Sequence, residues 1–299
     1  MTTTSSSLST TATPAVSTLA RRRQWQIWTL IGPSTLYLLL FFVIPLGIVF
    51  VYSFLKRGAY GQLLWEFNLQ NYVRVIDPLY LGILWNSLLI ALGNTVICLL
   101  VAYPFAYYIA RLENVRTRNL LLIFIMIPFW TNFLIRTYAW RVILSNEGPI
   151  NAFLINIGLI HDPLPMLFTP FAVIVGLVYG YLPFMVLPLY AAIDRVDFSL
   201  LEAANDLYAS GWQAFRQVLL PLSMPGVIAG SILVFIPSLG AFVTPDLLGG
   251  AKTVMIGNLI QGQFLTSRDW PFGSAFSVLL MVAVLGATLI YFRKGGRTL

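Results

Sequence analysis

The chain has 299 residues, of which 58% are apolar and only 10% charged, far from the roughly one-quarter charged usage of soluble domains. With a mean hydropathy of +0.82 it cannot build a polar exterior, which excludes a disordered chain and a soluble nucleic-acid binder and identifies a membrane protein. Lys and Arg outnumber Asp and Glu by 18 to 11, and in an integral protein that excess reads first as a topology signal facing anionic lipid.

Residues 1–23 are expected to be a disordered cytoplasmic tail, because twelve of the first 20 are Ser or Thr and none of those 20 is charged, a composition that buries no core. Arg21-Arg22-Arg23 looks like the start of a signal peptide. The uncharged run 24–55 that follows is too long for a signal core and lacks an Ala-x-Ala end, so it predicts an uncleaved anchor. A helix crossing a hydrocarbon core of about 30 Å needs roughly 20 apolar residues, and the runs 24–55, 79–110, 163–193, 217–245 and 270–292 qualify. A sixth span is less regular. Asn119 to Ile135 is uncharged and the apolar pattern resumes through Leu144, which predicts Arg136 and Arg141 near one interface with their heads in water, Arg136 as an anchor there or, alternatively, as a passage residue. The expectation is an all-α, polytopic membrane protein with six transmembrane helices in a single domain, 24–299.

Placing the N-terminus in the cytoplasm puts 11 Lys or Arg inside and 7 outside, with Arg111, Arg116 and Arg118 crowded into one short inner connection where the positive-inside rule is strongest. Both termini are then cytoplasmic. Pro45, Pro104, Pro128, Pro183, Pro188 and Pro237 fall inside the spans, where each removes a backbone donor and bends or breaks a helix. Gly176-x-x-x-Gly180 and Gly226-x-x-x-Gly230 predict close-packed helix faces. Cys98, the single cysteine, has no internal disulfide partner, and His161, the single histidine, sits in an outer loop. Neither His-Glu-x-x-His nor Gly-x-Ser-x-Gly occurs, so metalloprotease and serine-hydrolase chemistry lack their groups and catalysis by this chain is not expected.

The cytoplasmic connection 194–216 is patterned like two short helices. Ser199-Leu200-Leu201-Glu202 and Ser210-Gly211-Trp212-Gln213 both have capping-box spacing. Leu200, Leu201, Ala203, Ala204 and Leu207 give the first helix an apolar stripe, with Glu202, Asn205 and Asp206 on the wetter side. Such a helix lies across the membrane exit.

Glu202-Ala203-Ala204-Asn205-Asp206-Leu207, followed by Ala209-Ser210, Phe215, Val218 and Leu220-Pro221-Leu222, resembles the E-A-A loop of membrane subunits in binding-protein-dependent ABC importers. The resemblance implies a type I importer permease fold. It also implies that Glu202, Ala203, Ala204, Asp206, Leu207, Ala209, Ser210 and Pro221 belong to a coupling loop that docks into a groove on a cytoplasmic ATPase. One position departs from the family pattern: Tyr208 stands where a glycine ends the first helix. Either Tyr208 adopts a left-handed backbone at a cost of roughly 1–2 kcal/mol, or the turn shifts toward Gly211.

Pro221 to Gly230, Pro245-Asp246-Leu247-Leu248-Gly249-Gly250 and Arg268-Asp269-Trp270-Pro271-Phe272-Gly273 look like permeases of the spermidine/putrescine importer group, with related importers of iron, thiamine or other small solutes as the alternative. The implied partners are a second, different permease subunit, an ABC ATPase dimer and an extracytoplasmic substrate-binding protein in the lipid bilayer of the inner membrane, with no nucleic acid. No Gly-x-x-x-x-Gly-Lys-Ser/Thr string occurs, so no cofactor is assigned to this chain, and ATP with its Mg belongs on the ATPase. An ion-coupled transporter would place carboxylates mid-span, where these runs have none.

Candidate passage residues follow. Asp246, beyond the fifth span, either meets a cationic substrate or is a solvated loop carboxylate. Asp269 is read as partnered by Arg268. Trp130, Tyr138, Trp140, Tyr179 and Tyr181 either attract ammonium groups through their ring faces or anchor the membrane interface, as Trp and Tyr do in many membrane proteins.

Overall fold

The computed structural model describes residues 29–295, so the predicted tail 1–23 lies outside the described residues. Helix α1, Thr29–Tyr52, leads into a two-stranded hairpin, β1 Lys56–Arg57 paired antiparallel with β2 Leu63–Leu64, and a short helix α2, Gln70–Val75. That hairpin is the one addition to the all-α expectation. Helix α3 spans Pro78–Ala110, with the Asp77 carboxylate accepting the Leu79 N–H at its start and Pro78 in its first turn. Helices α4, Val115–Trp130, and α5, Phe133–Ile143, meet at a break and are bent by 89°. Helix α6, Pro149–Asn156, precedes α7, Pro170–Ile193. Then come α8, Ser199–Asp206, and the long α9, Gly211–Leu239. Helices α10, Ile256–Leu265, and α11, Trp270–Gly295, complete the described chain.

Five of these helices are long and apolar enough to cross a membrane, and the bent pair α4–α5 supplies the sixth crossing if taken as one span. Pro128 lies near the end of α4, and Asn132 caps α5 by accepting the N–H groups of Leu134 and Ile135. A proline followed by an N-cap three to four residues later ends one helix and starts another. Two predicted spans shorten. The run from 163 becomes helical only at Pro170, where Thr169 supplies the cap, and the run to 245 stops at Leu239 before Gly240.

Two of the prolines follow widened turns, whereas Pro104, Pro183, Pro188 and Pro237 lie inside continuous α-helix. Ile44 N–H reaches back to the Leu39 carbonyl just before Pro45, and Leu220 N–H to the Phe215 carbonyl just before Pro221. Each is a π turn that lets the helix pass a residue without an N–H. The second predicted loop helix is therefore the first turns of α9, not a separate element.

Helices α3, α7 and α9 form the centre. Small residues on α3, Cys98, Ala102 and Ala106, let it approach Met185, Val186 and Leu189 of α7, with Val234 of α9 completing the buried cluster. A Cβ added at Gly226 would stand 2.5 Å from the Ala192 Cβ and 2.6 Å from the Pro188 carbonyl oxygen, so that glycine pair is a packing face as predicted. Polar groups cross between spans in pairs: Asn94 Nδ2 donates to Ser238 Oγ at 2.6 Å, and the Tyr103 and Ser223 hydroxyls are 2.7 Å apart. Helix α1 packs along α11 and buries none of its apolar window.

Candidate functional site

The 194–216 loop begins differently from its sequence pattern. Ser199 is not the cap of α8; the Asp197 carboxylate accepts the Ser199 N–H at 3.0 Å, and no Ser199–Glu202 capping box forms. The Ser199 hydroxyl and then its backbone N–H hold the Asp197 carboxyl below its ordinary range, as hydrogen bonds to the charged form do. The second box is present: Ser210 Oγ accepts the Gln213 N–H while the Gln213 side chain accepts the Ser210 N–H at 2.7 Å.

Between the two starts, Tyr208 takes φ 60°, the left-handed backbone of the family's glycine. Its N–H donates to the Asn205 carbonyl, and the Ala209 N–H donates to the Ala204 carbonyl, which together form a Schellman motif with Tyr208 at its left-handed position. The turn has not shifted to Gly211. Leu207 and Tyr208 are 82% and 97% exposed, and Glu202, Ala203 and Asp206 are exposed beside them. Ala204 and Ala209 are half-buried beneath, and Pro221 is exposed on α9. An isolated surface rarely presents two large apolar side chains on a strained turn, so this tip has the character of a contact face.

The back of the loop is fastened to α3. Trp212 stacks on Phe215, and Phe215 meets the Tyr103 ring edge-on, each at 5.3 Å. The Arg111 guanidinium lies 5.7 Å from both the Tyr107 and Phe198 rings, and Arg118 pairs with Asp194 at 3.2 Å.

The predicted passage residues do not form one site. Tyr179 meets Trp140 edge-on at 5.4 Å and faces Arg136. The Tyr181 hydroxyl donates across to the Pro237 carbonyl on α9 at 3.3 Å. Trp130 and Tyr138 are exposed and do not line the cavity beside Tyr179. Asp246 is exposed and accepts a hydrogen bond from Asn258 Nδ2, so its carboxylate is partly engaged by its own chain. Arg141 lies over Phe168 at 5.8 Å, just before the start of α7. The Arg136 Nη1 donates to the Pro128 carbonyl at 2.9 Å, the group exposed where α4 breaks.

Asp269 is 1% exposed, and its partners are Arg74 at 3.0 Å and Arg57 at 3.7 Å, not the adjacent Arg268. Its second oxygen accepts the Phe272 N–H at the start of α11, over whose ring Arg74 lies at 4.1 Å. Arg57 also donates to the Ser267 carbonyl at 2.6 Å. Sequence proximity pointed to Arg268, and nothing local in the sequence signals pairing across almost 200 positions.

The spans, the exposed loop and its left-handed turn define a transporter membrane subunit, and the family model described as "Binding-protein-dependent transport system inner membrane component" matches residues 102–294. The chain belongs to that family, the membrane permeases of ABC importers, and has their type I fold. Among relatives, the "Spermidine/putrescine transport system permease protein PotB" of Escherichia coli (strain K12) is 46% identical over 273 residues, spanning 91% of this chain and 97% of that protein. The protein of the same name from Haemophilus influenzae is 46% identical over 86% of this chain and 90% of its own length. A permease chain in the crystal structure of a bacterial ABC transporter that imports alginate superposes with a TM-score of 0.69 at 18% identity, over 91% of this chain and 96% of that one, a likeness of fold.

Proposed function

We propose that this chain is one of two different permease subunits of an inner-membrane importer that carries a polyamine of the spermidine/putrescine class, driven by ATP hydrolysis on a separate ATPase dimer. The importer class is carried by one observation: an exposed helix–turn whose back is fastened to α3 and whose tip, Glu202, Ala203, Asp206, Leu207 and Tyr208, is free to dock. The cargo class is supported by the 46% identity to PotB across nearly the whole chain. Both termini face the cytoplasm, on the same side as residues 194–216. ATP and Mg act on the partner ATPase, and a substrate-binding protein delivers cargo to the opposite face.

The coupling role is tested with Ala204→Arg, which places a charge at the half-buried base of the tip. The expected result is normal membrane insertion with uptake reduced at least tenfold and ATPase activity no longer stimulated by loaded binding protein. Normal uptake by that variant would falsify the coupling assignment. The cargo is tested by radiolabelled spermidine and putrescine uptake with the partner subunits present, competed by unlabelled thiamine and ferric iron. Uptake should be abolished by vanadate, indifferent to a protonophore and competed by neither solute.

A further inference from the structure

Arg136 stands where a charged side chain is least expected, and two rulers from opposite faces give its depth. From Asn119, the first residue beyond Arg116 and Arg118, to Pro128 is about 14 Å along α4, and from Pro170 to Tyr179 is about 14 Å along α7, at 1.5 Å per residue. Arg136 touches the inner end of both, donating to the Pro128 carbonyl at 2.9 Å and lying 5.7 Å from the Tyr179 ring centre. Its guanidinium is therefore near the middle of a hydrocarbon core about 30 Å thick. Among the described residues, no carboxylate is within ion-pair distance of it. The Phe133 ring lies on another side at 5.5 Å, and the side chain lines a cavity of about 340 Å³ with Thr131, Ala139, Trp140, Ile143 and Tyr179. A half-exposed guanidinium at that depth, with no acid to neutralise it and most of its five donors unused, is tolerable against water and not against lipid.

We propose that this cavity is part of a water-filled translocation passage and that Arg136 is a fixed positive charge on its wall, a specificity-determining residue that shortens the stay of polycationic cargo. The ring faces of Trp140 and Tyr179 attract ammonium groups. A passage lined by such faces alone would hold a polycation too long, and conduction requires sites that also release. Arg136 counters that attraction more strongly for the more highly charged cargo. The cargo statement rests on the polyamine reading above; the watery, positive character of the cavity does not.

The test uses the assembled transporter in membrane vesicles. In a Cys98→Ser background, Ala139→Cys puts a thiol on the cavity wall and leaves Arg136 in place. The readout is its reaction rate with an anionic sulfonate methanethiosulfonate divided by that with a cationic trimethylammonium one. Both reagents should react, and adding Arg136→Gln should lower the ratio about sevenfold, from the effect of one charge about 7 Å away on two opposite probes in water. Failure of both reagents to react, or an unmoved ratio, overturns the proposal. In uptake, Arg136→Gln should lower the KM for spermidine, with three ammonium groups, about threefold more than for putrescine, with two. Arg136→Lys should keep the wild-type ratio. Equal shifts for the two amines would overturn the specificity role. Wild-type transport of neither amine would remove the cargo reading, and the labelling ratio would then decide the proposal alone.

Discussion

Tyr208 holds a backbone conformation that costs a non-glycine roughly 1–2 kcal/mol, on a turn whose rewards among the described residues are two capping hydrogen bonds. Tyr208→Gly should therefore stabilise the free loop by about 1 kcal/mol, read as slower amide exchange across Ala204 to Ala209, while removing a 97% exposed ring from the loop tip. Under the coupling role proposed above, that exposed ring is available to the partner ATPase. Asp197 gives the second residue-level expectation. Its carboxyl is held low by the Ser199 hydroxyl and N–H, so the charged form is the one the fold prefers. Order at the start of α8 is complete above the ordinary Asp range near pH 4 and is lost as pH falls through the depressed value. Amide protection in α8, corrected for intrinsic exchange, should be flat from about pH 5 to 8 and drop below about pH 4, and Asp197→Asn should show no such drop. Ser199 and Ser210 have the same spacing to a Glu or Gln, yet only the second forms its box. Asp197, two residues earlier, offers the first helix a charged acceptor in place of a hydroxyl, and a charge-assisted bond is the stronger.

At the scale of elements, long uncharged runs set the spans well because length and hydropathy alone decide membrane crossing. Their ends were less legible: α7 starts at Thr169 and Pro170 and α9 starts at Ser210, where caps and not hydropathy choose the boundary. The break between α4 and α5 was half legible. Pro128 was visible, but the 89° bend also needs Asn132 to nucleate the next helix. The depth we propose for Arg136 rests on that bend, which its place near the end of an uncharged run does not signal. Gly226 offers an element-level prediction. Gly226→Ala sets a methyl against backbone at the α7–α9 contact, an overpacking that should cost about 1–3 kcal/mol, seen as a lower unfolding midpoint in detergent.

For the molecule as a whole, the Arg57–Asp269–Arg74 cluster ties the hairpin and α2 to the start of α11. Asp269→Ala leaves both cations without their acid and the Phe272 N–H without an acceptor. Because both arginines are half-exposed, the expected loss is about 2 kcal/mol, below the 3–5 kcal/mol of a fully buried pair, measured as a fall in thermal midpoint. This cluster joins residues from opposite ends of the sequence, and for that reason it stayed invisible until the fold brought them together. The continuity of α9 has a mechanical consequence. From the Ser210 cap to Leu239 it is one helix of 29 residues, about 43 Å of rod at 1.5 Å per residue. A pivot of about 10° at the loop end of a rod that long sweeps its far tip through about 7 Å. The loop and the far end of α9 are thus joined through one continuous helix, with the π turn at Phe215–Leu219 close to the loop.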